Sequence, residues 1–342
     1  MKKTLSISVV ICLLLLSGCN TPTTHTPAAT VTPIPPTEEE PVESTETPLP
    51  PTEAPAAPTY SNVAYMDDDN PEHMLDIYLP SSDNTGEFPT LLMLHGSMNV
   101  KENFVEVGDY FADQGYAIVI TEFEYGVENR ITLQNAFCSL AWVYANADKY
   151  DFDPERIYLF GFSLGGLLSA SLGSFKDASQ YQEGCPNPIP ETDQLRGVIT
   201  YAGMFVTKEV CLAPQGGWCM AEAASINNIP LMEMANIFET LREVPSSDWK
   251  DSSELSEAAR DFARELPLYW LDGSEPKFLI IHGDADDVMP IVESEAFARA
   301  VQSAGGDAEF ITIPGAGHFS LNVASPSFVK IAEEIEAFVS EQ

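Results

Sequence analysis

The feature that most constrains this chain is the run RIYLFGFSLGGLLSASL at residues 156–172. Four apolar residues, Ile157, Tyr158, Leu159 and Phe160, break into Gly161-Phe162-Ser163-Leu164-Gly165-Gly166, and small and apolar residues at helical spacing follow at once. That is the pattern of a strand, a sharp turn and a helix, with a serine at the apex. A Cβ at Gly161 or Gly165 would collide with neighbouring backbone in so tight a turn, so glycine is required on both sides. A serine in this setting reads as a nucleophile elbow, whereas a bare G-x-S-x-G match carries far less. The reading demands a base, an acid and oxyanion donors elsewhere in the chain.

The N-terminal fifth of the sequence supplies none of these. Lys2 and Lys3 precede an apolar run at 5–16, too short to cross a hydrocarbon core of about 30 Å, so residues 1–18 are read as a signal peptide. Leu16-Ser17-Gly18-Cys19 resembles the lipobox of bacterial lipoproteins. That resemblance implies lipidation of Cys19, anchorage in a bacterial cell envelope and a globular part outside the cytoplasm. A plain signal with a chance cysteine is the alternative. Residues 20–59 are almost all Thr, Pro, Glu and Ala, too poor in apolar side chains to pack, and are expected to form, with Cys19, a disordered stalk at 19–59. The formal net charge of -36 repels phosphate backbones and excludes nucleic acid as a partner.

From residue 60 to 342 short apolar runs alternate with longer helix-period segments, which predicts an α/β sheet. Strands are expected at 74–79, 90–94, 116–123, the elbow strand, 195–201, 278–281 and 309–313. Helices are expected at 103–114, 131–147, after the elbow, at 251–266 with Asp251 to Glu254 as a capping box, at 294–304 and at 326–339. Asp153-Pro154 turns the chain into the elbow strand. Residues 204–249 break the alternation and are rich in Met, Trp and Phe, which suits a lid-like insertion or an extra packing layer. Beyond Cys12 and Cys19, four cysteines remain. In an exported domain they predict two disulfides; Cys138–Cys185 with Cys211–Cys219 is favoured, the second because it closes a short loop through Gly216-Gly217. Metal ligation is disfavoured by their spacing.

Five histidines are available as the base. His25 lies in the stalk and His73 precedes the first clear strand. His95 and His282 sit where strands become His-Gly turns and read as structural. His318 follows the last strand in a Gly-rich loop and is the candidate base. Among the aspartates after the 278 strand, Asp286 best fits the acid, two residues before Val288 and four before Pro290; Asp284 and Asp287 are fallbacks. Ser163, Asp286 and His318 thus follow one another in the chain, each beyond a separate strand. The Leu164 N–H supplies one oxyanion donor and the turn after Leu94 the other, from Ser97 or Met98.

These pieces resemble the α/β-hydrolases of the bacterial carboxylesterase group, which includes acetyl esterases, feruloyl esterases and dienelactone-hydrolase relatives. The matching segments are LDIYLP (75–80), LLMLHG (91–96), the run 142–166, FLIIHGDADDVMP (278–290) and IPGAGHFS (313–320). The resemblance implies a mostly parallel sheet flanked by helices, no cofactor or metal, and hydrolysis of a small-molecule or polysaccharide-linked ester through an acyl-enzyme. Many of these esterases carry HGGG at the oxyanion turn, where this chain has His95-Gly96-Ser97-Met98. A peptidase or lipase on the same triad, a haloperoxidase-like member of the fold, and a catalytically silent binding lipoprotein are the competing readings.

Overall fold

The alternating segments assemble into one eight-stranded sheet. The structure is a computed structural model and describes residues 57–81, 86–207, 211, 219, 221, 223–224, 229–243 and 246–341. The signal peptide, Cys19 and nearly all of the stalk lie outside the described residues, as does much of 204–249. The strands are β1 (Tyr60–Ala64), β2 (Met74–Tyr78), β3 (Phe88–Leu94), β4 (Ala117–Thr121), β5 (Phe152–Phe162), β6 (Gly197–Tyr201), β7 (Lys277–Gly283) and β8 (Ala308–Ile313). They lie in the order β1-β2-β4-β3-β5-β6-β7-β8. β2 pairs antiparallel with β1 and β4, and all the other pairs are parallel.

Side chains alternate across this sheet, and each set is covered. Leu92, Leu94, Val119 and Leu159 face one core; Leu91, Met93, Ile118, Ile120 and Phe160 face the other. The first core is closed by α2 (Asn129–Ala145), α4 (Leu164–Ser174) and α8 (Val292–Ser303), through Leu133, Phe137, Leu168 and Phe297. The second is closed by α1 (Val105–Asp113) and α9 (Phe328–Ser340), through Phe111, Ile331 and Ile335. Each such aliphatic or aromatic side chain contributes roughly 1.5–3 kcal/mol on burial. Burial on both faces is why the central strands read as unbroken apolar runs. Short helices α3 (Ala147–Tyr150) and α7 (Pro267–Trp270) and the helices α5 (Leu231–Glu243) and α6 (Glu257–Arg264) are also described.

The topology also places a crevice. From β3 the chain passes through α1 to β4 on one side, and from β5 through α4 to β6 on the other. Winding reverses between β3 and β5, and the carboxyl ends of parallel strands at such a point leave an open cleft. Ser163 lies at the end of β5, against that reversal.

Three details depart from the sequence reading. β1 lies outside the strands expected from the sequence; YSNVA has no alternation because it is an exposed edge strand with a bulge at Asn62, whose φ is 52°. The helix expected from 251 begins at Glu257: the Ser256 hydroxyl accepts the Ala259 N–H at 3.1 Å. Ser256 thus caps the helix, and Asp251 to Glu254 lie before it. Asp153-Pro154 does not precede β5 but lies inside it, where the register with β3 jumps from Phe88↔Phe152 to Thr90↔Ile157. A bulge tolerates a proline that the ladder would reject. Both favoured disulfides, Cys138–Cys185 and Cys211–Cys219, are formed.

One carboxyl is buried where the chain leaves β6. Glu293, wholly buried in the first turn of α8, accepts the Phe205 and Thr207 N–H groups, each at 3.0 Å, and the Thr207 hydroxyl. Burial raises its pKa from 4.5 to about 7 against the pull of these donors. The folded protein therefore holds a proton that the unfolded chain has lost between about pH 4.5 and 7, so this group's contribution to stability falls as pH rises through that window. In Glu293→Gln that slope disappears. The stability difference between variant and wild type, from urea midpoints, is expected to grow in the variant's favour by on the order of 3 kcal/mol from pH 4.5 to 7.5. A pH-independent difference would contradict it.

Candidate active site

The serine is held in a backbone conformation that only a fixed turn sustains. Ser163 has φ 54° and ψ -115°, outside the regions open to an ordinary residue. A Cβ on Gly161 would meet the Gly165 carbonyl, and one on Gly165 would meet the Leu94 carbonyl. Glycine at both places is what lets α4 start directly under the strand ends. The Ser163 N–H donates to Tyr201 O at 3.1 Å, and Ser163 O accepts from Gly166 and Met204. The strain, of order 1–3 kcal/mol, is thus borne by a surrounding hydrogen-bond frame.

Residues far apart in sequence converge on the hydroxyl. His318, 4% exposed, opens a short 3-10 turn after β8 and sets Nε2 3.1 Å from Ser163 Oγ. Its Nδ1 lies 2.8 Å from Asp286 Oδ2. Asp286 is therefore the aspartate of the three that meets the ring. Asp284 instead accepts the Gly315 N–H at 2.6 Å, bracing the loop that carries His318. The other oxygen of Asp286 accepts the N–H groups of Val288 at 2.9 Å and Met289 at 2.7 Å. Burial alone would raise the Asp286 carboxyl, but interactions with His282, His318 and the Met289 N–H outweigh it and hold it well below the usual carboxylate range. An anion so held fixes Nδ1 of His318 as the protonated nitrogen and leaves Nε2 to accept from the serine.

The two oxyanion candidates lie on either side of this serine. Leu164 is the first residue of α4, so its N–H has no carbonyl one turn earlier in the helix to bond. Across the cleft, Gly96-Ser97-Met98-Asn99 form a turn closed by Asn99 N–H on Gly96 O at 3.2 Å. A Cβ on Gly96 would stand 3.0 Å from Ser163 Cβ, which shows how closely this turn approaches the serine. Met98 has φ 58°, the value such a turn requires at its third residue and glycine adopts freely. Methionine holds this conformation at a conformational cost that glycine would not bear. His95 braces the turn from below, with Nδ1 2.9 Å from Gly96 O and Nε2 3.0 Å from Glu122 Oε1. A cavity of about 270 Å³ opens beside the site, lined by Asn99, Asn103, Phe104, Phe162, Phe319 and Asn322.

The sequence reading missed a second imidazole at the acid. His282, read as structural, has Nε2 3.2 Å from Asp286 Oδ2. The signal was present as its four-residue offset from Asp286, at the end of β7.

The chain is similar in sequence and in fold to known proteins. A family model described as BD-FAE matches residues 75–211, and the prolyl oligopeptidase family matches residues 220–342. Esterase LipC of Mycobacterium tuberculosis is 22% identical over 259 residues, covering 73% of this chain and 57% of that protein. Isoprenylcysteine alpha-carbonyl methylesterase ICME of Arabidopsis thaliana is 24% identical over 265 residues, covering 75% and 56%. The chain thus spans little more than half the length of these relatives. Among solved structures, a truncated carbohydrate esterase from gut microbiota superposes with a TM-score of 0.63 at 22% identity, over 85% of this chain and 98% of that one. Propionate-bound esterase 2 of Thermogutta terrifontis gives 0.61 at 19% identity, over 85% and 96%. The chain has the α/β-hydrolase fold. The curated relatives named here are esterases.

Proposed function

We propose that this protein is a serine carboxylesterase. The reading rests on one observation: Ser163, His318 and Asp286 form a continuous hydrogen-bonded array at the carboxyl edge of the sheet. Ser163 Oγ attacks the ester carbonyl while His318 Nε2 takes its proton, and Asp286 orients the ring and stabilises the imidazolium. The N–H groups of Leu164 and of Ser97 or Met98 receive the developing oxyanion. His318 then protonates the leaving alcohol, and water, activated by the same ring, releases the acid. The substrate is a small-molecule or polysaccharide-linked ester; similarity to a structure described as a carbohydrate esterase supports the second.

Peptide hydrolysis is the second reading, favoured by the match to the prolyl oligopeptidase family. That match covers the acid and base at 286 and 318 but not the nucleophile at 163. A silent binding protein has no use for the strained Ser163 and its aligned ring. The test is turnover of p-nitrophenyl acetate and butyrate against peptide p-nitroanilides: ester turnover alone is expected, and anilide turnover without ester turnover would overturn the reading. We further propose that Cys19 carries lipid and that residues 19–59 hold the domain off a bacterial membrane, with 204–249 acting as a lid; the lipobox-like LSGC and the Thr/Pro/Glu-rich composition support the tether. Partitioning of the full chain into detergent, lost in Cys19→Ala, tests the anchor.

A further inference from the structure

Asp286 is served by two imidazoles, and only one of them faces the serine. His282 is fully buried on β7. Its Nε2 lies 3.0 Å from Met289 O and 3.2 Å from Asp286 Oδ2, the oxygen that also meets His318. Both of these neighbours accept hydrogen bonds, so Nε2 carries a proton. Nδ1 lies 2.7 Å from the hydroxyl of Ser294, in the first turn of α8. A hydroxyl donating into Nδ1 keeps the neutral ring in the Nε2–H form. Met289, whose carbonyl His282 holds, is the residue whose N–H binds the other oxygen of Asp286. The turn at 286–289 is thereby closed on both sides by one ring.

We propose that His282, held by Ser294, is a positioning residue that sets how strongly Asp286 attracts the His318 proton. This rests on the esterase reading of Ser163, His318 and Asp286. Its Nε2–H donates to Met289 O and lies 3.2 Å from Asp286 Oδ2, where its positive end withdraws part of the carboxylate's charge from His318. Less charge on that oxygen weakens the imidazolium, and His318 stays free to accept the serine proton at lower pH. The other groups around Asp286 are accounted for. Tyr201 on β6, whose hydroxyl donates to Gly317 O, feels the Asp286 charge. Asp284 is bound by Gly315, and Glu293, beside Ser294, has its oxygens taken by Phe205 and Thr207. His282 and His318 are the two rings that touch the carboxylate.

The test follows the pH dependence of Ser163 phosphonylation by a fluorophosphonate probe, which reads the nucleophile without knowledge of the natural ester. In His282→Leu the acid limb of the labelling rate is expected to move up by about half a pH unit, about threefold slower labelling below the limb. His282→Gln, which returns an N–H, is expected to move back toward wild type. Ser294→Ala, a milder change, is expected to shift the limb the same way by less and covers the case in which His282→Leu does not fold. Limbs that coincide with wild type in the folded variants would overturn the inference while leaving the esterase reading intact. Failure of wild-type Ser163 to label at any pH would instead overturn that reading.

Discussion

Replacing Ser163 with alanine is expected to lower kcat on p-nitrophenyl acetate by about 10⁵–10⁶-fold, the scale seen when a triad serine is removed. Alanine keeps the Cβ and loses only Oγ, the atom 3.1 Å from His318 Nε2. The elbow's shape depends on Gly161, Gly165 and the Ser163 backbone bonds to Tyr201 and Met204, none of which involves the hydroxyl. The variant should therefore melt at or slightly above the wild-type temperature, since the φ of 54° remains the same burden on alanine. Turnover within tenfold of wild type in a folded variant would remove Ser163 from the mechanism.

Asp286→Asn is expected to lower kcat by about 10⁴-fold with little change in KM. The amide is isosteric but carries N–H groups where the carboxylate had lone pairs. Oriented with its oxygen toward the Val288 and Met289 N–H groups, as those bonds demand, it turns NH₂ toward His318 Nδ1. The ring then shifts its proton to Nε2, which can no longer accept from Ser163. The same NH₂ faces His282 Nε2–H, so the variant also loses stability. Comparing kcat at 25 °C, well below both melting temperatures, separates the two effects. A loss of less than tenfold would mean that Asp286 does not orient the base. Asp284→Asn serves as the internal control, because Asp284 touches the Gly315 N–H and not the ring.

Much of this arrangement was legible in the sequence because its local constraints are strong. Gly161-Phe162-Ser163-Leu164-Gly165 admits few backbone paths between a strand and a helix, and its glycines are spaced by the close approach of Gly165 to Leu94 O. The place of Asp286 was readable from its distance to Val288 and Pro290; the structure supplies the reason, since its Oδ1 closes a turn on the Val288 and Met289 N–H groups. What the sequence hid depends on tertiary contact. The exposed β1 has no periodicity to read. The segment before α6 offers several capping residues, and only packing selects Ser256. Nothing in the sequence around Glu293 marks it as interior, yet it is wholly buried and accepts the Phe205 and Thr207 N–H groups. His282 looked like a turn histidine because nothing in its own neighbourhood states that its ring meets Asp286.

The same contrast bears on substrate choice. The array at Ser163 is built from strand ends, whereas the approach to it is framed by the exposed Met98 and Phe319 and by the cavity between Asn103 and Asn322. Side chains on such loops vary without cost to the sheet, so under the proposed esterase reading acyl and alcohol preference are expected to be set there.

The central claim is that Ser163 is an activated nucleophile, and covalent labelling tests it most directly. The folded protein, treated with a fluorophosphonate at neutral pH and examined by intact mass and peptide mapping, is expected to gain one phosphonyl group. That group should map to Ser163 and be absent from Ser163→Ala. An unmodified folded protein, or a modification that persists in Ser163→Ala, would contradict the account.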